Sequence, residues 1–107
     1  MTGFSRQPQV IAAARRFLIS IRHRPALPTY GEVAAQYGGI ARGAGQVLNS
    51  VRRDCAADRE PDLSALVVDK TTGLPGTFNG APVLHGSANE QHWLTELHRI
   101  RSYPWKG

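Results

Sequence analysis

The side chains that could do covalent or acid–base chemistry are few, and their spacing argues against it. Cys55 is the single cysteine. It shares a helical stripe with Ala44, Val47, Leu48 and Val51, which reads as a small buried hydrophobe rather than a reactive thiol. One cysteine permits no intramolecular disulfide, and that fits a reducing compartment. His85, His92 and His98 form no i, i+4 pair and have no second cysteine beside them, so no metal site is expected. Ser20, Ser64 and Ser87 lack a Gly-x-Ser-x-Gly setting. Asp54, Asp58, Glu60 and Asp62 read as a solvated connector, not as a carboxylate pair for proton transfer. No glycine-rich phosphate cradle occurs. With no nucleophile–base pairing in view, we expect a chain without catalytic activity, metal or cofactor.

A different chemistry is suggested by the donors. Arg42, Gln46, Asn49 and Arg53 recur at helical spacing, opposite the apolar stripe of Ala44, Val47, Leu48, Val51 and Cys55. A helix divided in this way is buried on one side and offers hydrogen-bond donors on the other. The chain carries 13 Lys and Arg against 8 Asp and Glu, a formal charge of +5. That excess attracts polyanions such as DNA, RNA or an anionic membrane. The stripe could equally be a solvated helix face. Tyr30 could pack against the first helix or contact DNA. Arg15, Arg16, Arg22, His23 and Arg24 gather near one helix end, either as a solvated face or as a phosphate-binding flank.

The elements that must hold these residues follow from periodicity and capping. Ser5 to Arg22 reads as a helix on Val10, Ile11, Ala14, Phe17, Leu18 and Ile21, starting near Arg6 or Gln7 because Pro8 is tolerated only in a first turn. Pro25 and Pro28 end it. Thr29 and Glu32 make a capping box for a short helix with Val33, Ala34 and Tyr37 on its apolar face, stopped by Gly38-Gly39. A third helix is predicted from about Ala41 to Cys55. Leu63 to Asp69 is a short apolar run suited to a strand. A turn at Lys70 to Gly73 and a short hairpin or wing within Leu74 to Gly80 follow. Ser87 and Glu90 cap a last helix whose buried stripe is Trp93, Leu94, Leu97 and Ile100, ended by Pro104. Trp93, Tyr103 and Trp105 read as core and tail packing.

The expectation is therefore one domain over residues 1–107, mainly α with a small β wing, with N-terminal and C-terminal helices around a winged helix-turn-helix. No apolar run approaches the roughly 20 residues of a membrane span, and the N-terminus shows no signal-peptide stretch. A cytoplasmic protein is expected.

Three segments in this order carry a family resemblance. Thr29-Tyr30-Gly31-Glu32-Val33-Ala34 resembles the Thr-Tyr-Gly-Asp/Glu-Ile/Val-Ala segment of the alkylguanine-DNA alkyltransferases and alkyltransferase-like proteins. Arg42-Gly43-Ala44-Gly45-Gln46-Val47-Leu48 resembles their Arg-Ala-Val-Gly-x-Ala-Leu recognition helix. Val67-Val68-Asp69, followed by Gly73-Leu74, resembles their Val-Val-Asn and Gly-x-Leu/Ile. The resemblance implies a helix laid in the minor groove of double-stranded DNA. Arg42 would enter the base stack, Tyr30 would help rotate a nucleotide out, and Gly45 would allow close approach. The family's Pro-Cys-His-Arg is absent: counting back from Val67, its cysteine falls on Ser64 and its histidine on Ala65. Alkyl transfer is accordingly not expected.

The resulting expectation is a non-catalytic DNA-binding protein, contacting DNA through Tyr30, Arg42, Gly45, Gln46, Asn49 and Arg53 and sensing modified or extruded bases. The alternative is a small inhibitor or adaptor module that binds a larger protein complex through the Gly73 to Gly86 segment and the last helix.

Overall fold

The computed structural model describes residues 8–106. Its first helix, α1, spans Pro8–Ile21, with Val10, Ala14, Leu18 and Ile19 buried. The expected start at Ser5 to Gln7 lies outside the described residues. Pro8 stands where its missing N–H costs no hydrogen bond. The five-residue basic cluster at the end of this helix is divided by its partners. Arg15 makes a two-pronged ion pair with Glu60 at 2.8 and 3.0 Å and lies 5.4 Å from the Trp105 ring centroid. Arg24 binds Glu32 at 3.2 Å and the Ala26 carbonyl at 2.8 Å. These arginines tie segments together rather than forming a free basic flank.

Helix α2 spans Tyr30–Ala35 and has both halves of its capping box. The Glu32 amide donates to Thr29 Oγ1 at 3.2 Å, and the Thr29 amide donates to Glu32 Oε1 at 3.1 Å. The reciprocal pair fixes where the chain turns into the helix. Gly38, at φ +79°, reverses the chain after it. Helix α3 then runs Ala41–Ala57, two residues longer than the stripe implied. The Glu60 amide donates to the Cys55 carbonyl at 2.8 Å, and Arg59 takes the left-handed conformation at φ 58° that this ending needs. No glycine advertises that stop. Ala44, Val47, Leu48, Val51 and Cys55 are all between 0 and 5% exposed, so the apolar stripe of α3 is buried along its length. It packs on α1, on α2 and on the segment after it.

That segment corrects one expectation. Leu63 to Asp69 is not a strand: Leu63–Leu66 form a 3₁₀ turn. Val68 alone makes a single parallel bridge, to Thr29. The physical reason is local. The Asp62 side chain accepts the Ser64 amide at 3.0 Å, which starts a turn with i→i−3 hydrogen bonds. Leu63, Ala65, Leu66, Val67 and Val68 are all buried, and an unbroken apolar run has no period to separate strand from turn.

After the Lys70–Gly73 turn comes the hairpin, with β1 at Thr77–Phe78 pairing antiparallel with β2 at Ala81–Pro82. Asn79 and Gly80 join them at φ 54° and 79°, the two positive values of a tight hairpin turn. Helix α4 spans Ala88–Ser102. Ser87 Oγ accepts the Glu90 amide at 3.1 Å, but Glu90 Oε1 reaches the Gly86 amide at 2.8 Å instead of closing on Ser87. The buried stripe of α4 also differs by one residue. Trp93, Leu97 and Ile100 are buried as expected, while Leu94 is 43% exposed and Glu96 takes its place at 8%. Glu96 is tolerated there because both carboxylate oxygens are used: Oε2 accepts the Asp62 amide at 2.7 Å and Oε1 accepts Arg99 at 2.6 Å. Trp93 sits on the 3₁₀ turn and donates Nε1–H to the Ala65 carbonyl at 2.7 Å. The described chain is thus mainly helical, with four α-helices and one small two-stranded antiparallel sheet.

Candidate nucleic-acid interface

The solvent side of α3 has two edges. Arg42, Gln46 and Arg53 are exposed along the outer one. Gly45, Asn49 and Arg52 form the inner one, at i, i+4 and i+7, and border a cleft of about 270 Å³. Asn49 belongs to both rows. Tyr30 is half-buried against the core and also lines the cleft. The structure therefore brings Tyr30, Gly45 and Asn49 together around one cavity and places Arg42, Gln46 and Arg53 on the adjoining helix surface.

Gly43 and Gly45 interrupt α3 for no internal reason. A Cβ added at either position would meet nothing within 4 Å. A helix-interior glycine costs about 0.5–1 kcal/mol relative to alanine. That cost is not offset here by any close packing inside the protein. Both glycines flank exposed donors. The first turn of α3 contains no acidic residue.

The far wall of the cleft comes from residues that the sequence does not single out for binding. It consists of Asp62, Ser64 and Ala65 in the 3₁₀ turn, with Phe78, Asn79 and Gly80 in the hairpin. The side chain of Ser64 donates to Asp62 Oδ1 at 2.6 Å, and its amide donates to the same oxygen at 3.0 Å. Burial pushes the Asp62 carboxyl above its ordinary value; the two hydrogen bonds from Ser64 and the charge of Arg52 pull the other way, and Glu96 adds to the rise. The sequence signals for this wall are weak. Arg52 sits one residue from the donor stripe, and Asp62-Leu63-Ser64 is an Asx-capped turn that resembles a charged connector until it is folded.

A serine whose hydroxyl donates to a carboxylate needs a base of higher proton affinity to become a nucleophile, and none of the four histidines lines the cleft. Cys55 is fully buried on the opposite face of α3, and burial pushes its thiol up, away from the reactive thiolate. Among the described residues no group of three or more His, Cys, Asp or Glu could hold a metal ion. No helix among them is long and apolar enough to cross a membrane. Comparison of the chain with protein-family models, with curated proteins and with solved structures finds no match.

Proposed function

We propose that this chain is a non-catalytic protein that binds double-stranded DNA. In this reading α2, the turn at Gly38 and α3 form a helix-turn-helix, the hairpin is its wing, and α3 is the element laid against the groove. The resemblance of Thr29–Ala34, Arg42–Leu48 and Val67–Asp69 to the alkyltransferase-like proteins supports this reading. The observation that carries it is the exposed pair Gly43 and Gly45, bare of internal packing between Arg42 and Gln46. Glycines that weaken a helix without easing its packing make sense where another backbone must come close. Arg42 and Arg53 then bind phosphates, while Gln46 and Asn49 reach base edges. The cleft beside Tyr30 receives a base that leaves the stack.

The test is Gly45→Ala. The added methyl should raise thermal stability, by about 0.5–1 kcal/mol, and lower DNA affinity at the same time. A variant that is more stable and binds duplex DNA as tightly as the parent would sink the proposal. A second reading, a protein-binding adaptor, is favoured by Leu84 and Leu94, which are 64% and 43% exposed in the segment and helix that would form its docking surface. Leu84→Ser with Leu94→Ser would abolish capture of a protein partner under that reading and leave DNA binding unchanged under ours.

A further inference from the structure

Three exposed residues at the start of α3 each weaken it. Two are Gly43 and Gly45, which no internal packing requires. The third is Ile40. It holds the N-cap position, makes no side-chain cap hydrogen bond and is 69% exposed, the most of any large apolar side chain among the described residues. Serine or asparagine there would close the helix start, and a large apolar group left in water stabilises nothing in the free protein. Ile40 is nonetheless held firmly. The Gly39 amide before it donates to the Ala34 carbonyl at 2.9 Å, and the Ile40 carbonyl accepts the Gly43 amide at 3.0 Å. Gly39 is fixed by packing, since a Cβ there would come within 2.6 Å of the Tyr37 ring, and Tyr37 rests against the core. A β-branched side chain also has little rotamer freedom to lose on binding. The turn thus presents a stiff apolar group two residues before the exposed Arg42. No Asp or Glu occurs between Glu32 and Asp54, so no carboxylate in this stretch repels a phosphate backbone.

We infer that Ile40 is an apolar wedge, inserted between two stacked base pairs as α3 seats on the duplex. The inference rests on the DNA-binding reading and deepens it by naming the kind of site. An inserted aliphatic side chain exchanges contact with water for contact with two base faces; against this stands the cost of parting the step, at which the duplex then bends. That cost depends on sequence. Pyrimidine–purine steps such as TA and CA part easily, whereas A-tracts are stiff. Ile40 therefore makes this chain prefer a duplex with a flexible or poorly stacked step, with no hydrogen bond to a base edge needed for the choice. Arg42 and Arg53 act on phosphates and set the salt dependence of binding, while Ile40 sets which step is chosen.

The experiment uses the full chain and two duplexes of equal length, one with a central TA step and one with an A-tract in its place, each carrying 2-aminopurine for the central adenine. Anisotropy of an end label gives affinity, and 2-aminopurine emission reports unstacking. The parent should bind the TA duplex about tenfold tighter, the order of what burying an isoleucine side chain is worth. It should also raise emission severalfold on that duplex. Ile40→Ser is the deciding variant, and it should fold at least as well as the parent because it restores a cap. It should bind both duplexes alike, leave emission at the level of free DNA and keep the parent's salt slope, since isoleucine neutralises no phosphate. Ile40→Leu retains an apolar wedge and should retain both effects. Equal affinity of the parent for the two duplexes, binding without a rise in emission, or an Ile40→Ser variant that keeps either effect overturns the inference and leaves the DNA reading standing. Failure of the parent chain to bind either duplex overturns both.

Discussion

Replacing Trp93 with Phe tests the packing that holds the cleft wall in place. Trp93 is 4% exposed and donates Nε1–H to the Ala65 carbonyl at 2.7 Å, joining α4 to the 3₁₀ turn that carries Asp62 and Ser64. Phenylalanine removes the donor and leaves the carbonyl of a residue only 3% exposed without its partner. An unsatisfied buried acceptor costs about 1–3 kcal/mol. The smaller ring leaves a void that adds about 1 kcal/mol at the usual cost per unit of cavity volume. The sum is about 2–4 kcal/mol, or a fall in melting temperature of roughly 10–20 °C for a domain of this size. The control is Leu94→Ala, on the solvent side of the same helix at 43% exposure, which should cost below about 1 kcal/mol. Urea unfolding followed by far-UV circular dichroism measures both. Equal losses for the two variants, or a larger loss for Leu94→Ala, would refute this orientation of α4.

Two further outcomes follow from local chemistry. Ile40 occupies the N-cap of α3, is 69% exposed and provides no side-chain cap; Ile40→Ser should raise stability by about 1 kcal/mol in thermal unfolding. Asp62 has a folded-state pKa above its ordinary 3.8, so the folded state holds that proton more tightly. Its stabilising contribution is full below 3.8 and is lost as pH rises through the raised folded value. Asp62→Asn should flatten that part of the stability–pH curve, and a curve identical to the parent's would contradict the burial of this carboxyl.

Capping and periodicity were enough to define α2, α3 and α4, because each has a chemical start signal or an unbroken apolar stripe: Thr29 with Glu32, Ser87 with Glu90, and Ala44 through Cys55. The Leu63 to Asp69 run misled because its competing signal was a single residue, Asp62, whose side chain captures the Ser64 amide. A short hairpin was expected within Leu74 to Gly80; its turn, Asn79-Gly80, falls there, but its second strand, Ala81–Pro82, lies beyond that range. On the candidate site, the α3 donors could be identified from spacing alone. The cleft could not, since it arises only when Asp62 and Phe78, 16 positions apart, fold against Asn49 and Arg52. Glu96 illustrates the same limit: a charged residue on a buried stripe is acceptable only because Asp62 and Arg99 satisfy it, and neither hydrogen bond is visible in one dimension.

The central claim is that α3 binds duplex DNA through its exposed arginines, and a salt series measures it most directly. Affinity for an undamaged duplex, taken between about 50 and 200 mM salt, should fall steeply with a log–log slope set by the number of phosphates neutralised. Arg42→Ala with Arg53→Ala should make that slope shallower by about 2, roughly 0.9 for each phosphate that is no longer neutralised, without altering the circular dichroism spectrum. A parent slope near zero, or the same slope in the folded double variant, would contradict the account.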